Sequence, residues 1–117
     1  MIEERARDLG RLIGQSPEYQ AVKRANDALT GDRDALGLLQ QMESIRTAAR
    51  TMMERGEEPT EEMETQLNDL LMKVQQNPAY QRFIVAQENF DKVMARVNQW
   101  ILDGMKKGAA SPIITLG

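Results

Sequence analysis

Apolar residues recur at helical spacing along almost the whole chain, and each amphipathic stretch is bounded by residues that start or stop helices. In the first stretch, residues 2–13, the apolar positions lie three or four apart: Ile2, Ala6, Leu9 and Ile13. Gly14 follows as an expected C-terminal stop. The pattern predicts an amphipathic helix over residues 2–13.

A second helix is predicted to begin at Ser16-Pro17, where serine acts as the N-cap and proline takes the first helical position. It should end at Thr30-Gly31 and bury one side, composed of Tyr19, Val22, Ala25, Ala28 and Leu29. Asp32 is the expected cap of a third helix over residues 33–55. The apolar stripe of that helix is Leu38, Leu39, Met42, Ile45, Ala49, Met52 and Met53.

The sharpest break in the chain is predicted between Gly56 and Pro59. Thr60 is the expected cap of a fourth helix, whose apolar face is Met63, Leu67, Leu70, Leu71 and Val74. Asn77-Pro78 then opens a last helix running to about Met105. Its apolar residues form three rows: Phe83, Phe90 and Val97; Tyr80, Met94 and Ile101; Ala86, Val93 and Trp100.

Three rows make a face that is too wide for one partner helix, so it serves either a bundle core alone or a core plus a subunit interface. A helix of ~28 residues is ~42 Å long, whereas a compact chain of this length is only ~35 Å across. We therefore expect an all-α, elongated bundle of about five helices with two long antiparallel helices, 33–55 and 78–105, in a homodimer. The predicted interface residues are Met42, Ile45, Ala49, Met52, Phe83, Phe90, Met94, Val97, Trp100 and Ile101.

The chain is expected to form a single helical domain over residues 1–107, followed by an extended or disordered tail over residues 108–117. Gly108-Ala109-Ala110 is small and flexible, and Pro112 to Leu116 is apolar and β-branched. A free terminus and docking into a groove of this or another chain both remain open for that tail.

The opening of the last helix repeats an earlier one. Placing Pro17 on Pro78, an offset of 61 residues, also matches Tyr19 with Tyr80 and Gln20 with Gln81. Two interpretations are open: either two helices reuse one favourable start, or a helical unit has been duplicated. Two occurrences are too few for a solenoid array.

Composition excludes several classes of function. The 117 residues contain no cysteine and no histidine, which removes disulfides, thiol nucleophiles and the commonest metal ligands. The net charge of −3 is unlike that of a general nucleic-acid binder, and direct nucleic-acid binding is not expected. The charged start and the lack of a ~20-residue apolar run predict no membrane contact and a cytoplasmic location.

The charged clusters suggest no catalytic chemistry. The acidic group at residues 57–64 is expected to be a solvated loop and helix start, because a di-iron bundle site would need histidines. Arg46 and Arg50 are expected to pair with Glu43 and Glu54 at the surface, and Lys106-Lys107 suits a helix C-terminus. We predict no catalytic, cofactor-binding or metal-binding residue and no cofactor.

Several of these features together resemble the YlbF/YmcA family of small helical bacterial proteins. They are Ser16-Pro17-Glu18-Tyr19 with Ala25, Asp32, the Gly56…Pro59-Thr60 break, and Asn77-Pro78 leading to Tyr80…Ala86. The resemblance covers roughly residues 5–103. It implies an elongated, all-α homo- or hetero-oligomer without enzymatic activity, of the kind that acts as a regulatory adaptor in competence, development or mRNA processing. Iron–sulfur binding by cysteines, found in some members, does not carry over to this cysteine-free chain.

The resulting hypothesis is a non-enzymatic cytoplasmic regulatory adaptor that binds itself and other, unidentified proteins, with RNA processing or developmental regulation as the implied pathway. One alternative is a nucleic-acid-associated factor using Arg46, Arg50 and Lys106-Lys107. Another is a structural or chaperone-like helical module that uses the methionines of the third and fourth helices, where flexible thioethers make adaptable surfaces.

Overall fold

A computed structural model describes residues 1–110, which form five α-helices and no strand. The helices are α1 (Ile2–Gly14), α2 (Pro17–Gly31), α3 (Arg33–Glu54), α4 (Glu61–Gln75) and α5 (Pro78–Ala110). The expected all-α class, the number of helices and the elongated form are confirmed.

Three of the predicted caps hold their helices as expected. The Ser16 hydroxyl accepts a hydrogen bond from the Tyr19 amide at 3.2 Å, and the Thr60 hydroxyl accepts one from the Met63 amide at 3.1 Å. A carboxylate oxygen of Asp32 accepts one from the Ala35 amide at 3.0 Å. Each bond satisfies one of the amides that the first turn of a helix leaves without a partner.

The end of α5 differs from the expectation. The helix continues past Met105 to Ala110, three residues into the predicted tail of residues 108–117. A glycine inside a helix costs only about 1 kcal/mol relative to alanine, so Gly104 and Gly108 do not terminate it. By contrast Gly56, which follows α3, has a φ of +80° and turns the chain toward α4. The remainder of the predicted tail lies outside the described residues.

The helices form two arms. In the first, α2 packs antiparallel to α5. The Tyr19 ring at the start of α2 lies against the Phe90 ring at a tilt of 60°, with ring centroids 5.4 Å apart, while Leu29 near the end of α2 lies beside Ala79. In the second, α3 and α4 form a hairpin in which Met42 packs against Leu70 and Val74. Each of the two long helices, α3 and α5, therefore has a shorter antiparallel partner.

The molecule is long and thin. Its extents are 66 × 38 × 20 Å, and 20 Å is about two helix diameters. Its radius of gyration is 21.2 Å, compared with about 13 Å for a compact chain of this length. Since α5 is only about 50 Å long, the 66 Å axis requires the two arms to point in different directions. Most helices are consequently covered on one side only.

The core is correspondingly small and lies in two clusters. One cluster, where the arms meet, joins Leu29, Ala35 and Ala79; the other, inside the hairpin, joins Met42, Leu70 and Val74. Tyr80 packs against both clusters. Tyr19, expected to be buried on α2, remains 37% exposed, with its ring against that of Phe90.

The sequence repeat is also a structural repeat. The Gln20 side chain donates a hydrogen bond to the Gly14 carbonyl at 2.8 Å, and the Gln81 side chain donates one to the Gln75 carbonyl at 2.8 Å. Both bonds reach back across a turn to the end of the preceding helix. The α1–α2 and α4–α5 connections are therefore the same turn, built twice.

Candidate interaction surface

The N-termini of α3 and α5 meet at a polar junction between the arms. Asn77 caps α5 through its carbonyl oxygen, which accepts a hydrogen bond from the Tyr80 amide at 3.1 Å. Its amide nitrogen donates to Asp32, the cap of α3, at 3.3 Å. Two helix caps that are 45 residues apart in sequence are thus joined by one side-chain hydrogen bond.

The pKa of the Asp32 carboxyl is lowered from its ordinary value of 3.8. The hydrogen bond from the Ala35 amide is the largest cause and the Asn77 amide comes next, since both stabilise the charged form. Partial burial acts in the opposite direction. Because the folded state favours the charged form of this carboxyl group, the stability of the folded chain depends on pH.

We expect the Asp32 contribution to folding stability to be complete above about pH 3.8 and to be lost as the pH falls through the lowered pKa. As the pH falls through 3.8, the Asp32 carboxyl takes up a proton in the unfolded chain before it does so in the folded chain, so acid favours unfolding. Urea unfolding at a series of pH values measures the effect. The free energy of unfolding should fall less steeply on acidification in Asp32→Asn than in the parent chain. Asp27→Asn, an exposed carboxylate on α2, is the control, and an Asp32→Asn profile identical to that of the parent would contradict the assignment.

The ten predicted interface residues separate into two sets on different arms. On α3, Ile45, Ala49 and Met52 are half-buried, whereas Met42 is buried in the hairpin core. On α5, Val97 is buried and Trp100 and Ile101 are 65% and 44% exposed; the rest of this set is half-buried, namely Phe83, Phe90 and Met94. Met42 and Val97 are 3% and 6% exposed in a single chain, so the accessible part of the predicted interface consists of the other eight residues.

Exposed apolar side chains are concentrated at one end of the molecule. Of the eleven large hydrophobic residues exposed within residues 1–110, seven lie at the N-terminus, on α1 or on α5 beyond residue 99: Met1, Ile2, Leu12, Trp100, Ile101, Leu102 and Met105. We call this end the open end, defined as residues 1–13, which include most of α1, and residues 97–105 of α5. Sequence reasoning named Trp100 and Ile101 here but missed α1, although its apolar stripe was visible.

An apolar groove lies between α2 and α5. Ala25, Ala86 and the 56% exposed Val85 line it, together with the Arg24 and Arg82 side chains. Its lining offers two guanidinium groups and amide side chains but no carboxylate, hydroxyl or other nucleophile. The groove is suited to contact with another surface rather than to covalent chemistry.

The other charged candidates stay apart from one another. Among residues 1–110 the side-chain ion pairs are Arg7 with Glu3 and Arg11 with Asp8, both on α1. The expected pairs of Arg46 and Arg50 with Glu43 and Glu54 are therefore absent from this part of the chain. The acidic residues of 57–64 are all exposed, and within the described chain no three acidic side chains converge to hold a metal ion.

No helix within residues 1–110 combines the length and apolar character that crossing a lipid bilayer requires.

These features define an elongated, all-α protein with two thin arms and uncovered apolar faces. The chain belongs to the family described as "Control of competence regulator ComK, YlbF/YmcA", whose sequence profile matches residues 2–106. The expected family is thereby confirmed.

Relatives and a solved structure agree with this assignment. UPF0342 proteins of Streptococcus pyogenes serotypes M4 and M5 are each 26% identical to this chain over 105 residues, covering 90% of it and 93% of the relative. A "Protein of Unknown Function (DUF964) from Bacillus stearothermophilus" shares the fold, with a TM-score of 0.70 at 21% identity, covering 94% of this chain and 96% of that one. The family description names a regulatory role, and the descriptions of these relatives name no enzyme.

Proposed function

We propose that this protein is a non-enzymatic cytoplasmic adaptor that acts as a homodimer and regulates other proteins by binding them through its helix faces. The family description, control of the competence regulator ComK, supports a place in bacterial developmental regulation, and RNA processing is a second candidate pathway. The partners are recognised through apolar helix surfaces, without a cofactor.

The observation that carries the proposal is the amount of surface left uncovered. The chain exposes 9212 Å², whereas a compact monomer of its mass exposes about 6,500 Å². The excess, more than about 2,000 Å², equals or exceeds what one subunit of an obligate dimer buries. Only eight hydrophobic residues of the described chain are buried, so a single copy has little core of its own.

Sedimentation equilibrium at micromolar concentration should return twice the 13.3 kDa mass of the chain. Equilibrium rather than gel filtration is needed because a 66 Å particle elutes as though it were larger than its mass. Since association stabilises only the folded state, the thermal midpoint should also rise with protein concentration. A 13.3 kDa species and a midpoint independent of concentration would rule the homodimer out.

The adaptor role requires a direct protein partner. Native affinity purification, repeated after ribonuclease treatment, separates protein contacts from contacts bridged by RNA. We expect the same proteins to be recovered in both preparations. Loss of the partners after ribonuclease, together with steeply salt-dependent RNA binding, would favour the nucleic-acid-associated alternative instead.

A further inference from the structure

The repeated turn implies that α1 and α4 are equivalent helices. Gln20 and Gln81 are related by an offset of 61 residues. When the alignment is continued toward the N-terminus with the same offset, α1 aligns with α4. The apolar residues of the two helices then coincide in four pairs: Ile2 with Met63, Ala6 with Leu67, Leu9 with Leu70, and Ile13 with Val74. Both helices therefore carry the same apolar stripe and join the next helix through the same turn.

The two stripes are covered very differently. On α4, Leu70 and Val74 are 9% and 0% exposed, because α3 packs over them. On α1 no residue is buried, and Ile2 is 87% exposed. Among residues 1–110, no helix packs over α1 in the way that α3 packs over α4. The same apolar face that forms a core in one arm is left uncovered in the other.

The open end has room for a covering element. A cavity of about 420 Å³ separates α1 from α5 and is lined by Met1, Ile2, Arg5, Ala6, Leu9 and Ile101. Trp100, next to Ile101, is 65% exposed. The ion pairs of α1 join residues of the same helix, Arg7 with Glu3 and Arg11 with Asp8, so these charges are matched without a partner.

We propose that the open end is the surface through which two copies of this chain associate, each supplying α1 and the last third of α5 to an intermolecular four-helix bundle. This inference rests on the homodimer of the proposed function and assigns its surface. A second copy fits because a twofold contact joins a surface to itself, and the open end of each copy offers the same two apolar helices. The excess exposed area is that of a dimer subunit.

Site-directed spin labels give the first test, since the chain contains no cysteine to compete for the label. Asp103→Cys labels the open end and Glu57→Cys labels the exposed tip of the α3–α4 hairpin. In a dimer joined at its open ends the hairpin tips lie on the outside. The intermolecular distance between Asp103→Cys labels should therefore be shorter than that between Glu57→Cys labels. The reverse order would overturn the proposal and leave the homodimer standing.

Charge substitutions give the second test. We expect Ile2→Glu combined with Ile101→Glu to weaken dimerisation roughly tenfold or more, because the dimer would bury unpaired carboxylates. Both sites are exposed in one copy, so circular dichroism should show unchanged helicity. Met72→Glu, at an exposed methionine on α4, is the matched control and should dimerise like the parent chain.

The remaining outcomes separate this inference from the proposed function. A parent chain that is monomeric at micromolar concentration refutes the homodimer itself. A helical Ile2→Glu, Ile101→Glu variant that dimerises as tightly as the parent overturns only the open-end assignment. If that dimer persists and deletion of residues 111–117 changes the Trp100 emission, the open end binds that terminal segment rather than a second copy of the chain.

Discussion

Substituting Val74 by aspartate is expected to unfold the α3–α4 hairpin and to lower the free energy of unfolding by about 4 kcal/mol or more. Val74 is 0% exposed and lies in the cluster formed with Met42 and Leu70. The side chains of Met42 and Leu70 offer a carboxylate no hydrogen-bond donor and no cation. A domain of ordinary stability has only about 5–15 kcal/mol to lose, so this one change should remove much of it.

Urea denaturation followed by circular dichroism measures the effect. The matched control is Met72→Asp, which introduces the same side chain two residues earlier on α4, where the methionine is 61% exposed. Surface substitutions of this kind usually stay within about 0.5 kcal/mol. If the two variants unfolded at the same urea concentration, the packing of α4 against α3 would not be as described.

Truncating Leu29 to alanine should cost about 3 kcal/mol, because it leaves a cavity where the two arms join. Leu29 is 6% exposed and lies in the last turn of α2, while the buried neighbours in its cluster, Ala35 and Ala79, lie in the first turns of α3 and α5. Neither alanine can fill the void, but the larger, partly buried side chains that pack against the cluster can fill part of it. The loss should therefore fall in the lower part of the range of about 2–5 kcal/mol for buried leucines.

Thermal or urea unfolding of Leu29→Ala, compared with Thr30→Ala, tests the junction. Thr30 is the next residue of α2, is exposed, and makes only a 3.2 Å hydrogen bond to the Asp27 carbonyl. We expect Thr30→Ala to lie within about 0.5 kcal/mol of the parent. A Leu29→Ala variant as stable as Thr30→Ala would show that the arms are not held together by this cluster.

The helix starts could be predicted because their signals are local. Ser16, Asp32 and Thr60 each cap through a hydrogen bond to an amide three residues away, and proline at the first helical position requires no distant partner. The prediction that α5 ends at about Met105 was wrong, because no strong local signal marks the end of this helix. Glycine is a weak local stop signal, and near Gly104 and Gly108 nothing else ends the helix.

The connections between elements could not be predicted. The bond from Asn77 to Asp32 joins residues 45 positions apart, and no periodicity indicates that two helix caps will meet. Spacing likewise identified an apolar face on α3 and on α5 but not what covers it. Spacing alone did not indicate that the chain itself covers Met42 and Val97. The elongated form could be predicted because that step needs only the rise per residue and the chain length.

The order in which the two arms appear during synthesis follows from the connectivity of the helices. Met42 and Leu70 of the α3–α4 hairpin are 28 residues apart, whereas Tyr19 and Phe90, which join α2 to α5, are 71 apart. Residues 33–75 are therefore translated before α5 is made. At about 5–20 residues per second, α2 remains without its main partner for roughly 2 to 7 seconds while α5 is translated.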